Sequence, residues 1–472
     1  MLGAALLLAG EDSYSITNSI RLNGTSDYLS RTFTTPTSAY IGTLSMWFKR
    51  GSLGADGRLF EHSDSSTRQL MVRLDSSTDT ITVDLYSGGV SHALVTSQVF
   101  RDPSAWYHLV LAVDTTQATA ANRTKLYING SQASFSSSTY QDQNTTVFGA
   151  WTSRLGTRAF GTPTAWYSGY YSDTYFIDGQ ALTPSSFGQT DANGVWVPIR
   201  YAGTYGVNGV KLAFGSSGSL GSDTSGNAND WTVNGSPVQT TDTPTNNYAT
   251  LNAVRPSTSA LTIGNTTAAG TASGTIPVSQ SDKWYWEVTA NAVGVNAGLE
   301  NTSGTTYTQS VTNGTTTGFR YTHSTTALEY TTNGSSWSTV SSAVSGVAFP
   351  YVTGASSTTN FGATALAYAT PSGFELLTAS NLPSTAVTTS GTFTGNANAN
   401  GPFIWTNGNP ATLTINGNAV TFGTHADKTA GGFKLRSSSA SYNTSGSNTW
   451  TATAGKRFVY SATSINTAQG NP

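Results

Sequence analysis

Residues 106–130 read WYHLVLAVDTTQATAANRTKLYING, and this stretch decides the fold. Val110 and Ala112, then Leu126 and Ile128, alternate with residues free to face the other way. That period of two marks a pair of β-strands. The polar run between them, centred on Thr115–Asn122, is a loop. Asn129-Gly130 closes the second strand with two residues that accept positive φ, the signature of a tight hairpin turn.

The same pattern recurs outward from this stretch. Leu44, Met46 and Phe48 alternate with Ser45, Trp47 and Lys49. Arg58–Glu61, Leu70–Leu74 and Ile81–Leu85 continue as short apolar runs between Ser, Asp and Gly turns. Such evenly spaced short strands predict a sandwich or barrel. With 472 residues the chain exceeds one compact core, so two or three domains are expected. Only 10% of residues are charged, and Thr, Ser, Asn and Gly fill the gaps between apolar runs, so helices should be rare. The 11% aromatic content separates the chain from disordered Ser/Thr-rich polymers, which lack the means to build a core. A net charge of −2 offers no field for nucleic acid. The absence of cysteine excludes disulfides, thiolate metal sites and a cysteine nucleophile.

Residues 14–214 read as one β-sandwich. Its Trp-Tyr-His-Leu strand, Asp114, long loop and Lys-Leu-Tyr-Ile-Asn-Gly resemble the laminin-G-like and concanavalin-A-like domains. After the strand ending at Asp178, Thr183 is placed as the N-cap and Pro184 as the first residue of a short helix. Residues 215–255 form a Gly/Ser/Asn-rich connector expected to bury little. Three blocks carry a more specific resemblance: FIDGQALTPSSFGQTDANGVWVPIRYAGTYGVNG at 176–209, LGSDTSGNANDWTVNG at 220–235 and TDTPTNNYATLN at 241–252. They resemble a lectin-like family found among virion proteins of tailed bacteriophages.

Residues 256–378 form a second candidate domain around Asp282–Val288, Gly318–Tyr321, Tyr330–Gly334, Val347–Tyr351 and Asn360–Gly362. Their order is similar to a SPRY domain, another two-sheet sandwich, although the Gly-Asp and apolar strand typical of its middle are absent. Residues 385–472 read as a small C-terminal β unit with strands near Thr392–Gly395, Gly401–Trp405, Ala411–Gly417 and Gly432–Arg436. The fold class is therefore all-β: tandem antiparallel β-sandwiches, a concanavalin-A-like jelly roll followed by a SPRY-like sandwich and the small unit. At the other end, residues 1–13 form an apolar arm. Its Leu2–Ala9 run is too short to cross a bilayer and has no Lys or Arg before it. Burial against the first domain or a neighbouring subunit is expected, and no membrane insertion.

Chemistry-bearing motifs are sparse. The glutamates (Glu11, Glu61, Glu287, Glu300, Glu329 and Glu375) are scattered, and the Glu-x-Asp-x-x-Glu strand of the glucanase branch is missing, so no enzyme is expected. His62, His92, His108, His323 and His425 show no metal-binding spacing. His108 reads as a packed strand residue. No cofactor is expected. Asp223, Asn227, Asn229 and Asp230, or Asp173 and Asp178, are the oxygen ligands a calcium ion would use, because some laminin-G-like relatives bind calcium. Turn formation is the competing role for them. Sugar recognition needs exposed aromatic faces beside a few polar groups. Trp151, Arg154, Arg158, Trp166 and Tyr167, set among Gly and Pro, are the candidate carbohydrate-binding residues.

The resemblance implies a structural virion protein, with a tail-fibre or tail-tip adhesin as the leading function and a host-surface glycan as its ligand. Other virion proteins and further copies of the chain, a trimer first, are the implied partners. A capsid decoration or head-fibre protein is the alternative; the lack of a long repetitive shaft favours decoration or a short fibre. A carbohydrate-active enzyme is the third reading.

Overall fold

The computed structural model describes residues 14–382, apart from 192–193, 255–258 and 279–282, and the backbone of strands between 387 and 461. The apolar arm at residues 1–13 lies outside the described residues. Among those described there is no α-helix, only strands and four single 3₁₀ turns. Among the described residues no helix is long and apolar enough to cross a membrane. The chain divides into two units: residues 1–189 with 197–379, and residues 190–196 with 380–472.

The larger unit opens with a sandwich of two eight-stranded antiparallel sheets. At the centre of the first sheet, Ile41–Arg50 lies between Trp106–Asp114 and Ser168–Asp178. The second sheet runs from Phe135–Ser138 through Val90–Val99, Thr80–Ser87, Gln69–Leu74, Gly57–Ser63 and Thr152–Leu155 to Tyr28–Thr32 and Thr232–Asn234. Between the sheets, Leu44, Met46 and Phe48 meet Leu59, Val72 and Val83 in one core. Phe48 stacks on Tyr107 at 5.4 Å, and Phe33 packs on Phe176 at 5.0 Å. Alternation at residues 44–48 therefore reads as the sequence predicts.

Alternation at residues 106–114 is shifted by one. Leu109, Leu111 and Val113 enter the main core with Leu126 and Ile128. Val110 faces the opposite side, where Tyr175, Ile177, Phe187 and Tyr201 form a smaller apolar cluster. A strand covered on both faces carries apolar residues at consecutive positions, so the pattern alone does not say which face is the core.

Two further expectations are corrected. Residues 215–255 do not merely connect. Thr232–Asn234 pairs with Tyr28–Thr32, Val238–Thr240 pairs with Ser19–Asn23, and Leu220 and Trp231 enter the first core. Pro184–Ser186 is a single 3₁₀ turn with Pro at its start, but Thr183 makes no side-chain cap; its hydroxyl bonds that of Ser185 at 2.9 Å.

A second two-sheet sandwich follows. Lys283–Ala290 is central to its eight-stranded sheet, flanked by Ser357–Asn360 and Thr316–Thr322. A four-stranded sheet carries Val295–Asn301 and Ala348–Thr353. Trp284, Trp286 and Val288 alternate into its interior and are fully buried, as are Ala297, Leu299 and Val352 from the other sheet. Tyr285, Glu287 and Thr289 take the opposite face of the same strand. In the smaller unit two four-stranded antiparallel sheets run between Val387 and Ser461.

Candidate glycan-binding surface

The short strand Thr152–Leu155 sets Arg154 opposite Ser30 on one neighbour and Glu61 on the other. All three therefore point to the outer face of the second sheet, away from the core. The Arg154 guanidinium lies 5.2 Å from the centre of the Tyr28 ring, and Trp166 tilts against the same ring at 5.8 Å. Arg154 Nη1 donates to the Arg158 carbonyl at 2.6 Å, and the Arg158 guanidinium covers the Phe160 ring at 3.6 Å. Tyr28, Arg154, Arg158, Phe160 and Trp166 are all half-buried, so rings and guanidinium groups are held yet reach solvent.

The loop carrying Arg158 and Trp166 is fixed by its own backbone. Arg158 N and the Thr157 hydroxyl both donate to the Thr164 carbonyl, at 3.1 and 2.8 Å. Beneath the loop, Ala159 N donates to Glu61 Oε1 at 3.1 Å, and Arg58 Nε stands 3.3 Å from Glu61 Oε2. Burial pushes the Glu61 carboxyl up and the Arg58 guanidinium down, each toward its neutral form, against their mutual attraction. The loop roof leaves Glu61 no exposure, so this carboxylate anchors the loop and faces no open cleft.

The five residues expected from the sequence are split. Arg154, Arg158 and Trp166 come together at the surface. Tyr167 belongs to the main core at 2% exposure, and its hydroxyl donates to the Lys49 carbonyl at 2.7 Å. Burial raises that hydroxyl far above the ordinary phenol range. Trp166 stays at the surface against Tyr28 while its neighbour Tyr167 turns into the core. Trp151 is also withdrawn, at 9% exposure, stacked on His62 at 5.1 Å with the Arg68 guanidinium 5.2 Å from its ring. Tyr28 and Phe160 complete the surface. No local signal marks Tyr28, which strand register brings beside a residue 126 positions away.

The oxygen groups considered for calcium serve turns and pairs. Asp223 accepts from Lys211 N, Ser225 N and Asn229 N, while Asp230 Oδ1 accepts from Asp223 N. The Asn227 and Asn229 amides donate to the Gly209 carbonyl. Asp173 accepts from the Tyr14 and Tyr175 hydroxyls and pairs with Lys211. Asp178 accepts from Thr37 N, Ser38 N and Asn208 N. Among the described residues no group of three or more His, Cys, Asp or Glu side chains could hold a metal ion.

Residues 23–187 match the family model Laminin_G_3, described as the concanavalin A-like lectin/glucanases superfamily. This segment is a concanavalin A-like domain. No curated protein sequence matches the chain. Among solved structures the chain is similar to a heptameric SAP-like pentraxin from Limulus polyphemus, at 18% identity over 36% of this chain and 80% of that one, with a TM-score of 0.29. It is similar to the IT-sialidase CBM40 of Ruminococcus gnavus at 16% identity, over 36% and 96% of the two chains, with a TM-score of 0.26. It is also similar to domain 4 of AbnA, a GH43 extracellular arabinanase from Geobacillus stearothermophilus, at 19% identity, over 35% and 72%, with a TM-score of 0.26. Within the concanavalin A-like domain the Tyr28–Arg154–Trp166 group offers what a sugar needs: ring faces for its C–H side and guanidinium N–H groups for its hydroxyls.

Proposed function

We propose that this chain binds glycans through the Tyr28–Arg154–Trp166 surface of its concanavalin A-like domain, and does so as a virion protein of a tailed bacteriophage. The observation that carries the binding reading is the half-exposed aromatic and guanidinium cluster, held over Glu61 by a hydrogen-bonded loop. The phage context is supported by the sequence blocks at 176–209, 220–235 and 241–252 and by the SPRY-like order of residues 256–378. In this reading the chain is a tail-fibre or tail-tip adhesin on the particle surface, a binder and not an enzyme. Assembly with other virion proteins as an oligomer, a trimer first, would turn weak single-site contacts into useful avidity.

Labelling the particle with an antibody against the chain tests the context. Tail labelling and adhesion of the isolated protein to host cells support the adhesin. Head labelling and binding to capsids instead would support the decoration reading.

A further inference from the structure

The outer face of the first sandwich's Ser168–Asp178 sheet and the outer face of the second sandwich's Lys283–Ala290 sheet enclose a cleft of about 300 Å³. Arg21, Tyr170 and Asp242 line one side, and Glu287, Thr289 and Thr358 line the other. Strand register sets threonines side by side on four adjacent strands: Thr267 opposite Thr358, Thr358 opposite Thr289, and Thr289 opposite Thr316. Their hydroxyls join in two pairs, Thr267–Thr358 at 3.0 Å and Thr289–Thr316 at 2.7 Å. Within each pair one hydroxyl spends its proton and keeps lone pairs, and the other keeps its O–H. The row therefore presents both donors and acceptors.

The charges lining the cleft balance. Asp242 is neutralised by Lys49 at 2.8 Å. Glu287 accepts from the Tyr285 hydroxyl, Ala367 N and Tyr368 N, pairs with no cation among the described residues, and Arg21 stands across the cleft. Arg21 Nε is buried with no hydrogen-bond partner among the described residues. The loop at the mouth, residues 362–367, reads GATALA. Glu287 holds its far end, and Thr241 N fixes its near end through the Ala363 carbonyl at 2.9 Å. Apart from Leu366, the side chains on this pinned loop are small.

We propose that this cleft binds one neutral polyhydroxylated molecule of monosaccharide size. The volume sits at the small end of ligand pockets, which begin at roughly 300 Å³. The opposed charges of Glu287 and Arg21 give the cleft no net pull on a ligand of either sign, whereas sugar hydroxyls can give to and take from the threonine row. The cleft lies on the opposite sheet from Tyr28 and Arg154, so it is a separate site and does not depend on the surface described above.

The test is hydrogen–deuterium exchange on the full chain with glucose, galactose, N-acetylglucosamine and, as the charged control, galacturonate. Slowed exchange at residues 357–368 with a neutral sugar is the expected result. Thr289→Val should weaken that sugar about tenfold, the worth of one hydrogen bond. Ala365→Trp, at an exposed position, should abolish the effect without touching either core. No protection by any neutral sugar, protection by galacturonate alone, or protection confined to residues 152–166 would overturn the proposal.

Discussion

Lys49 Nζ lies 2.8 Å from Asp242 Oδ2, and neither side chain exposes more than 1% of its surface. The other ammonium protons go to Asn247 Oδ1 at 2.8 Å and the Tyr248 carbonyl at 3.1 Å. Asp242 Oδ1 accepts from the Trp106 indole at 3.0 Å and from Tyr248 N at 3.2 Å. A buried ion pair of this kind holds because every donor and acceptor is spent. It fastens residues 242–248, which lead into the second sandwich, to the outer face of the first. Lys49→Met leaves Asp242 buried and unpaired, and should cost about 3–5 kcal/mol. Urea unfolding measures this, and a loss below about 1 kcal/mol would show that the pair is not the fastening.

Acid should weaken the first sandwich through two histidines. Burial pushes His62 and His108 down to about 3, from the 6.5 of an exposed imidazole. Gly149 N donates to His62 Nε2 at 3.3 Å, so Nδ1 carries the proton and gives it to the Ser153 hydroxyl at 2.8 Å. His108 Nε2 bonds the Ser45 hydroxyl at 2.9 Å. Folded pKa values below the unfolded value mean that the unfolded chain takes up protons first as pH falls. Stability from these two sites is complete above 6.5 and drains between 6.5 and about 3. The two together should lose about 4 kcal/mol between about pH 7 and about pH 5. His62→Gln should remove about half of that slope in urea titrations run across pH.

Trp151 and Tyr167 should behave as packing residues. Trp151→Ala removes the ring stacked on His62 and should cost about 3 kcal/mol or more. Tyr167→Phe loses the hydroxyl's bond to the Lys49 carbonyl and its longer one to the Tyr170 carbonyl, about 1 kcal/mol. Thermal melts read both, and normal stability for Trp151→Ala would return that ring to the surface.

Calcium should leave the melting temperature unchanged. The carboxylates of Asp223, Asp173 and Asp178 already accept from backbone amides, hydroxyls or Lys211, and a cation would have to displace these donors. A clear rise in melting temperature with added calcium would show a site assembled after rearrangement.

The alternation of Leu44, Met46 and Phe48 was legible because their strand pairs into a large sheet and one face meets the main core. The side taken by Val110 was not, because Phe187 and Tyr201 cover the outer face from far along the chain. The same reason hid the role of residues 215–255, whose turn-rich composition conceals two strands and the buried Trp231. Arg154, Arg158 and Trp166 come together at the surface because these aromatic and basic residues cluster locally between turns. Only strand pairing brings Tyr28 beside Arg154, which no local pattern reveals, and the aromatic cluster alone does not tell that Tyr167 enters the core while Trp166 stays at the surface.

A glycan array probed with the full chain, beside the Arg154→Ala and Trp166→Ala variants, tests the central claim most directly. The predicted result is binding to a defined set of glycans, lost by about tenfold or more in each variant with unfolding midpoints unchanged. Silence across a broad array, or binding that both variants retain in full, would contradict it.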